Sequence, residues 1–317
     1  MTKPVDLDPQ DWDAFRDESH RALDSMIDYL RDLRTRPVWT PPSDEAKARF
    51  DRDLPAQGRA LSAVLEDFER YIKPFATGNI HPMFMGWVQG AGTPVGMIAE
   101  MLAAGMNSNC GGRNHIAIDV ERQIAKWMAQ AFGLPEDASG IFVTGTSMAN
   151  FLSLLVARDQ AYGDKDVRLN GLCAQSGQLI AYTSREAHNC VRQAMELAGL
   201  GARHLRLIPS DDNRRMKISA LRHAISADRA AGFRPFLIVG TAGTVDTGAI
   251  DPLDRLADVA HSEDLWFHVD GAFGALAALS PALKPLVKGL ERADSIAFDF
   301  HKWLHVPYDA GFFLVRD

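Results

Sequence analysis

A lysine stands near the end of the chain, in Asp299-Phe300-His301-Lys302-Trp303-Leu304, directly after the apolar run Ser295-Ile296-Ala297-Phe298. Held at a strand's C-terminal edge and flanked by His301 and Trp303, its amine can lose a proton near neutral pH and attack a carbonyl. On its own, a lysine after a strand is more often a solvated loop residue. Three more apolar runs lead to groups able to do chemistry. Leu265-Trp266-Phe267-His268-Val269 ends in Asp270, Leu179-Ile180-Ala181-Tyr182-Thr183 leads to His188, and Gly140-Ile141-Phe142-Val143 leads to Thr144-Gly145-Thr146-Ser147. In an open parallel sheet such ends are expected side by side, where ligands bind.

The elements that must position these groups follow from the pattern around them. From residue 140 onward short apolar runs at 141–144, 179–183, 204–208, 236–240, 265–269 and 294–298 alternate with helical patterns near 147–161, 187–198, 217–231, 252–263 and 281–289. That alternation predicts a parallel sheet with crossover helices. Gly311-Phe312-Phe313-Leu314-Val315 is a seventh run, and Pro307 leaves little room for a crossover helix before it, so this strand is expected to be antiparallel. The expected fold is α/β, a seven-stranded, mostly parallel sheet with one reversed strand.

Ahead of it, residues 8–35 carry Trp12, Phe15, Leu23, Met26, Ile27, Leu30 and Leu33 at helical spacing. The proline-rich stretch 37–42 and a second helical pattern over 60–73 follow. The division expected is a helical segment, 1–75, that packs on a partner subunit or caps its own domain, and a large domain, 76–317. Residues 78–88, crowded with aromatic, methionine and glycine residues, read as a loop lining something; no strand precedes the glycines from Gly86 to Gly96, so they make no dinucleotide motif. Helices are predicted over 94–106 and 117–132, separated by the polar run 107–114.

Composition narrows the function. The 317 residues carry a net charge of -7, which gives no electrostatic footprint for nucleic acid or an anionic membrane. No apolar run approaches the roughly 18 residues of a spanning helix. Met1-Thr2-Lys3-Pro4-Val5-Asp6 lacks the apolar core of a secretory signal, and Cys110, Cys173 and Cys190 are odd in number and far apart, so neither a disulfide frame nor a zinc site is expected and the cytoplasm is. His301 and His305 have a metal-compatible spacing without the rest of a ligand set, so no metal is expected.

A lysine, a carboxylate, a flat imidazole and a loop of small residues make a poor hydrolase but suit pyridoxal 5'-phosphate. That cofactor needs an amine for its aldehyde, an acid beside its ring nitrogen, a lid on its ring and donors for its phosphate. Asp270 keeps the pyridine nitrogen protonated on this reading, His188 stacks on the ring, and Thr146 and Ser147, opening a helix, hold the phosphate. Plainer readings stay open: Asp270 as a helix cap, His188 as a surface residue, Thr146-Ser147 as an ordinary helix start.

His268-Val269-Asp270 followed by His301-Lys302-Trp303, with Gly243-Thr244-Val245-Asp246-Thr247-Gly248-Ala249-Ile250-Asp251-Pro252 and His81-Pro82 with Phe84, resembles the pyridoxal-phosphate-dependent group II amino-acid decarboxylases from about residue 12 to 317. The resemblance implies the large domain of a fold-type-I enzyme. Lys302 then holds the cofactor as a Schiff base, Asp270 pairs with the ring nitrogen, His188 stacks, Thr146 and Ser147 bind the phosphate near Asp299 and His301, and Thr244 lies by the ring hydroxyl. It also implies a homodimer with a shared active site, for which the N-terminal helices are a clasp, and decarboxylation of an L-amino acid to its amine. Aromatic substrates are favoured, with a substrate pocket of His81, Trp87, Val88, Asn107 and Asn109. Two departures bear on the substrate: the loop after His81-Pro82 holds Trp87, Val88 and Gly90 where aromatic-acting relatives are rich in tyrosine and phenylalanine, and Asn107-Ser108-Asn109 is polar where they are apolar. Gly271 replaces a usual alanine and is expected to loosen packing on the ring face. The family's loop tyrosine and small C-terminal domain would follow Asp317, so a truncated product is expected. Alternatives are an aldehyde-forming oxidative decarboxylase, a carbon-carbon lyase, or a non-catalytic dimerisation partner.

Overall fold

β-Branched and aromatic runs bounded by glycine, proline and polar turns form seven strands, and the helical patterns between them form the crossovers. The computed structural model describes residues 8–112, 114–163, 167, 169–172 and 178–316; Met1 to Asp6, Arg113 of the polar run and Cys173 lie outside the described residues. The chain divides into two units, Met1–Gly86 and Trp87–Asp317.

In the first unit, helix α1 (Trp12–Arg31) starts at Asp11, whose carboxylate accepts the N–H groups of Asp13 and Ala14. None of its residues is buried. Helix α2 (Asp44–Arg49), too short to show a period in the sequence, is capped by the Ser43 hydroxyl. Helix α3 (Leu61–Asp67) runs into a π-helical turn, Phe68–Ile72, and a 3-10 turn, Lys73–Phe75. The helical pattern expected to 73 tightens there because Pro74 has no N–H to continue it.

The second unit opens with α4 (Pro94–Met106), capped by Thr93 and ended by Asn107 in the left-handed region, and α5 (Ile116–Phe132), ended by Gly133. Then follow β1 (Ser139–Val143), α6 (Thr146–Tyr162), β2 (Leu179–Ser184), α7 (Cys190–Leu197), β3 (Leu205–Ile208), α8 (Ile218–Ala230), β4 (Arg234–Thr241), α9 (Leu253–Glu263), β5 (Trp266–Asp270), β6 (Ser295–Asp299), the short α10 (Phe300–Trp303) and β7 (Gly311–Val315). The sheet order is β1-β7-β6-β5-β4-β2-β3. β7 is antiparallel to β1 and β6, and every other pair is parallel. The reversed strand is where the sequence puts it.

Two expectations change. The chemically able strand ends are not all neighbours, because β7 separates β1 from β6 and β4 separates β5 from β2. The helix expected at 281–289 is a series of 3-10 turns, Ala275–Leu279, Lys284–Val287 and Leu290–Arg292. Pro281 and Pro285 lack the donors an α-helix needs there.

Strands β2 and β6 are buried along their whole length, as central parallel strands covered on both faces must be. Phe132, Phe298, Phe300 and Phe312 pack edge-on and tilted against one another beneath α10, with centroids 5.0–5.7 Å apart. Each such ring contributes about 1.5–3 kcal/mol by leaving water, and together they fix β7 against β6 at the base of the lysine segment. Among the described residues no helix is long and apolar enough to cross a membrane.

Candidate active site

A cavity of about 330 Å³ lies over the C-terminal ends of the parallel strands. Of the residues singled out from the sequence, Val88, Thr146, Ser147, His188, Asp270, Asp299, His301 and Lys302 line it. A larger cleft, about 670 Å³, is lined by Arg234, Trp266 and Asp294 at the opposite ends of the strands and contains none of that set.

Lys302 lies on α10, just past the end of β6, and its side chain is 19% exposed. Its Nζ is 2.9 Å from Oδ2 of Asp299, the last residue of β6. Oδ1 of the same carboxylate accepts the Thr146 N–H at 2.8 Å, which ties the start of α6 to the lysine segment. His301 Nε2 is 3.6 Å from Asp299 Oδ2, while its Nδ1 accepts the Ala310 N–H at 3.1 Å. Nδ1 is therefore bare, and burial, outweighing the pull of Asp299, holds the ring below its usual pKa. The Tyr308 ring covers His301 at 4.3 Å, and its hydroxyl oxygen accepts the Gly90 N–H at 2.7 Å.

Backbone donation at the start of α6 is narrower than the sequence suggests. The Thr146 N–H is taken by Asp299, an anion within reach of the helix's first donor. What faces the cavity is the Thr146 hydroxyl, whose buried oxygen has no partner, and Ser147, whose N–H at the second helical position has no intrahelical acceptor.

Asp270 is 3% exposed and ends β5. Its Oδ1 accepts the Ala272 N–H at 3.1 Å and its Oδ2 accepts from Asn150 Nδ2 at 3.0 Å. The bond to Ala272 closes a local turn and caps no helix, because the 3-10 turn Ala275–Leu279 starts at Gly274 without a side-chain cap. Burial raises its pKa, opposed by those two donors and by Lys302 and His188. Gly271 does not loosen the next position: a Cβ there would lie 2.4 Å from the Ala275 Cβ. His188 is exposed at the rim, with Nδ1 accepting the Cys190 N–H at 3.2 Å.

The remaining residues lie elsewhere. Thr244 is buried with its hydroxyl turned into its own turn, accepting the Ala249 N–H at 3.1 Å and paired with the Thr247 hydroxyl at 2.8 Å; it does not line the cavity. Thr241, at the end of β4, does line it, and its buried Oγ1 has no partner. Trp87 is 82% exposed, Asn107 caps α4, and Asn109 accepts the Gly111 N–H at 2.8 Å, all outside the cavity lining. His81 is buried in the first unit, where its Nδ1 accepts the Met83 N–H and its Nε2 has no partner. Residues that sequence reasoning passed over include Asn150, Cys190, Thr241, Phe273 and Tyr308. Asn150 carried one signal, an amide on the face of α6 shared with Thr146, Ala149 and Ser153. Among the described residues no group of three or more His, Cys, Asp or Glu side chains could hold a metal.

The donor set suits pyridoxal phosphate: an amine and a buried carboxylate on one cavity, two orphaned threonine hydroxyls and a helix start for an anion, and apolar Val88, Val245 and Phe273 for a ring. Sheet order, reversed strand and this placement define the large domain of a fold-type-I pyridoxal-phosphate enzyme. Residues 42–317 match the pyridoxal-dependent decarboxylase conserved domain, and the chain belongs to that family. It is 34% identical to the aromatic-L-amino-acid decarboxylase of Bacillus atrophaeus, over 96% of this chain and 62% of that protein. It is 28% identical to the phenylacetaldehyde synthase of Arabidopsis thaliana, over 98% of this chain and 64% of that one. The solved Catharanthus roseus tryptophan decarboxylase in complex with L-tryptophan superposes with a TM-score of 0.87 at 26% identity, over 98% of this chain and 68% of that chain. The chain thus spans less than two thirds of the length of the curated relatives it matches.

Proposed function

We propose that the protein is a pyridoxal-phosphate-dependent carboxy-lyase that converts an L-amino acid, with aromatic side chains favoured, to the amine and CO2. The observation that carries this reading is that Lys302 and Asp270 open on one cavity between the orphaned hydroxyls of Thr146 and Thr241. When bound, the cofactor supplies an electron sink for the bond broken at the substrate α-carbon.

The chain's own residues do the rest. Lys302 provides the amine that captures the aldehyde, and Asp299, 2.9 Å from Nζ, holds the ammonium proton until then. Thr146 and Ser147 take the phosphate, with Thr241 a further donor. Asp270, anionic, keeps the proton on the ring nitrogen, because a buried charge is stabilised by an opposite charge in contact with it. His188 covers the ring from the rim. Neutral His301 buttresses Asp299 without competing with Lys302 for its charge. Val88, Phe273 and Tyr308 exclude water and accept an apolar side chain.

We propose a homodimer as well, supported by the exposure of α4. Helix α4 buries none of its residues, and Val95, Met101, Leu102 and Met106 are 79%, 50%, 60% and 65% exposed. An apolar helix so exposed fits a partner surface. We assign α1 to the clasp as well, and Trp87, Asn107 and Asn109 to the substrate pocket shared between protomers; His81 is proposed as a substrate residue on its own account.

The test is to add pyridoxal phosphate to the purified chain and record the visible absorption band of the cofactor bound to an amine. The band is expected, and Lys302→Ala is expected to abolish it; a Lys302→Ala protein with an unchanged spectrum overturns the assignment. CO2 release from a panel of aromatic and acidic amino acids then identifies the substrate. The likeness to an aldehyde synthase favours a second reading, an aldehyde-forming oxidative decarboxylase, and product analysis for amine against aldehyde and ammonia separates the two.

A further inference from the structure

Behind Asp270, away from the cavity, lies a run of buried polar groups that the reaction as described does not use. Asn150 is 3% exposed and His268 is 1% exposed. Asn150 Nδ2 lies 3.0 Å from Asp270 Oδ2 and 3.1 Å from Cys190 Sγ, and its Oδ1 lies 2.7 Å from His268 Nε2. His268 Nδ1 is 2.9 Å from Ser295 Oγ, which in turn lies 2.7 Å from Ser153 Oγ and 2.8 Å from Trp266 Nε1.

Donors and acceptors along this run can be assigned by counting hydrogens. Trp266 can only donate, so Ser295 Oγ accepts from it. An ionised Asp270 can only accept, so Asn150 must present its NH2 to Oδ2 and keep its carbonyl oxygen for His268. That oxygen needs a donor, which places the imidazole hydrogen on Nε2 and leaves Nδ1 bare. Ser295 then gives its single hydrogen to Nδ1 and takes a second one from Ser153. Every hydrogen in the run is used, and all are directed along it toward the carboxylate except the second Asn150 amide hydrogen, which goes to Cys190 Sγ. The opposite arrangement puts the hydrogen on His268 Nδ1, directed at the Ser295 carbonyl oxygen 3.1 Å away. It turns the Asn150 oxygen toward Asp270, which is tolerable only if Asp270 is protonated.

We propose that Asn150 and His268 are positioning residues, which hold Asp270 ionised and aimed at the cofactor ring nitrogen through a one-way chain of hydrogen bonds from Trp266 and Ser153. This deepens, and rests on, the reading of Asp270 as the ring-nitrogen partner. The charge of Asp270 and the tautomer of His268 are then one variable. Burial supports the assignment, since it holds His268 down to about 3 and Cys190 up to about 12, so neither brings a competing charge. The other titratable groups facing Asp270 are Lys302 and His188, across the cavity.

The experiment is imidazole nitrogen NMR on the histidine-labelled protein, cofactor-free and loaded, with the His268 signal identified by its loss in His268→Gln. The Nε2–H tautomer is expected in both forms. The Nδ1–H tautomer overturns the proposal, and this readout decides it even if the protein takes up no pyridoxal phosphate, a result that would sink the cofactor reading instead. In the loaded protein, His268→Leu and Asn150→Ala are expected to move the pH midpoint of cofactor absorbance and to weaken cofactor binding about tenfold, the loss typical of one hydrogen bond to a buried charge. His268→Gln, whose amide can donate to Asn150 and accept from Ser295, is expected to stay at the parent value. Leu and Ala variants that melt and titrate like the parent also overturn the proposal.

Discussion

Gly311, the first residue of β7, sits where the strand passes the start of α6. A Cβ added there would lie 2.3 Å from the Gly145 Cα, 2.4 Å from its carbonyl carbon and 2.6 Å from its nitrogen. Carbon atoms settle at about 3.5 Å or more, so Gly311→Ala requires the chain at Gly145 to retreat by roughly 1.2 Å. Neither side can give cheaply. Gly311 is paired with Val143 and Asp299 in adjacent strands, and Gly145 precedes Thr146, whose N–H is bonded to Asp299. Overpacking of this kind costs about 1–3 kcal/mol, which for a chain of this size lowers the melting temperature by roughly 1–5 °C. The displaced segment carries Thr146 and Ser147, and a misplacement of about 1 Å in a binding site can cost on the order of a hundredfold. The assay is thermal unfolding beside fluorescence titration with pyridoxal phosphate, with Gly58→Ala, where nothing lies within 4 Å, as the control. A Gly311→Ala protein that melts with the parent and binds the cofactor as tightly would refute the close approach of β7 to the start of α6.

Leu102→Glu, on the exposed apolar face of α4, is expected to shift sedimentation from dimer to monomer without lowering helix content; an unchanged dimer excludes that face as an interface. His268 is held neutral in the fold, its pKa pushed from 6.5 to about 3 by burial, so the unfolded chain binds the extra proton between those values. The stability present above pH 6.5 is then lost as pH falls toward 3, by up to about 1.4 kcal/mol per unit, and denaturant unfolding of His268→Gln is expected to be flatter over that window. Asp251 is 2% exposed and accepts the N–H groups of Met216 at 2.7 Å and Thr241 at 2.9 Å. Asp251→Ala orphans both, at about 1–3 kcal/mol each, measurable by denaturant titration; a loss below about 1 kcal/mol would mean the two donors find other partners.

The strands were legible because parallel strands buried on both faces must be continuous apolar runs, and β7 was legible as reversed because Pro307 blocks a crossover helix. The turns at 275–292 were not, since Leu283, Leu286 and Leu290 keep a helix-like spacing that Pro281 and Pro285 override. For the site, the groups that end strands could be read as chemistry, whereas those that depend on where the next turn points could not. Thr244 and Thr241 have the same side chain three residues apart, and only the fold of the 244–249 turn sends one hydroxyl inward and leaves the other on the cavity. Asn150 sits mid-helix, where sequence gives an amide no address. Its partners Asp270 and His268 belong to β5, which β7 and β6 separate in the sheet from β1, the strand that precedes Asn150 in sequence.

The sheet order also has a bearing on synthesis. Of the seven strands β1 is made first, yet among the described residues its sole strand neighbour is β7, the seventh. Until residues 311–315 are available, the edge of β1 and the edge of β6 are both open templates, and such edges invite pairing with other chains. A nascent or prematurely terminated polypeptide lacking that one strand is therefore an aggregation hazard, and the arrival of Phe312 and Phe313 between their two waiting partners covers both facing edges.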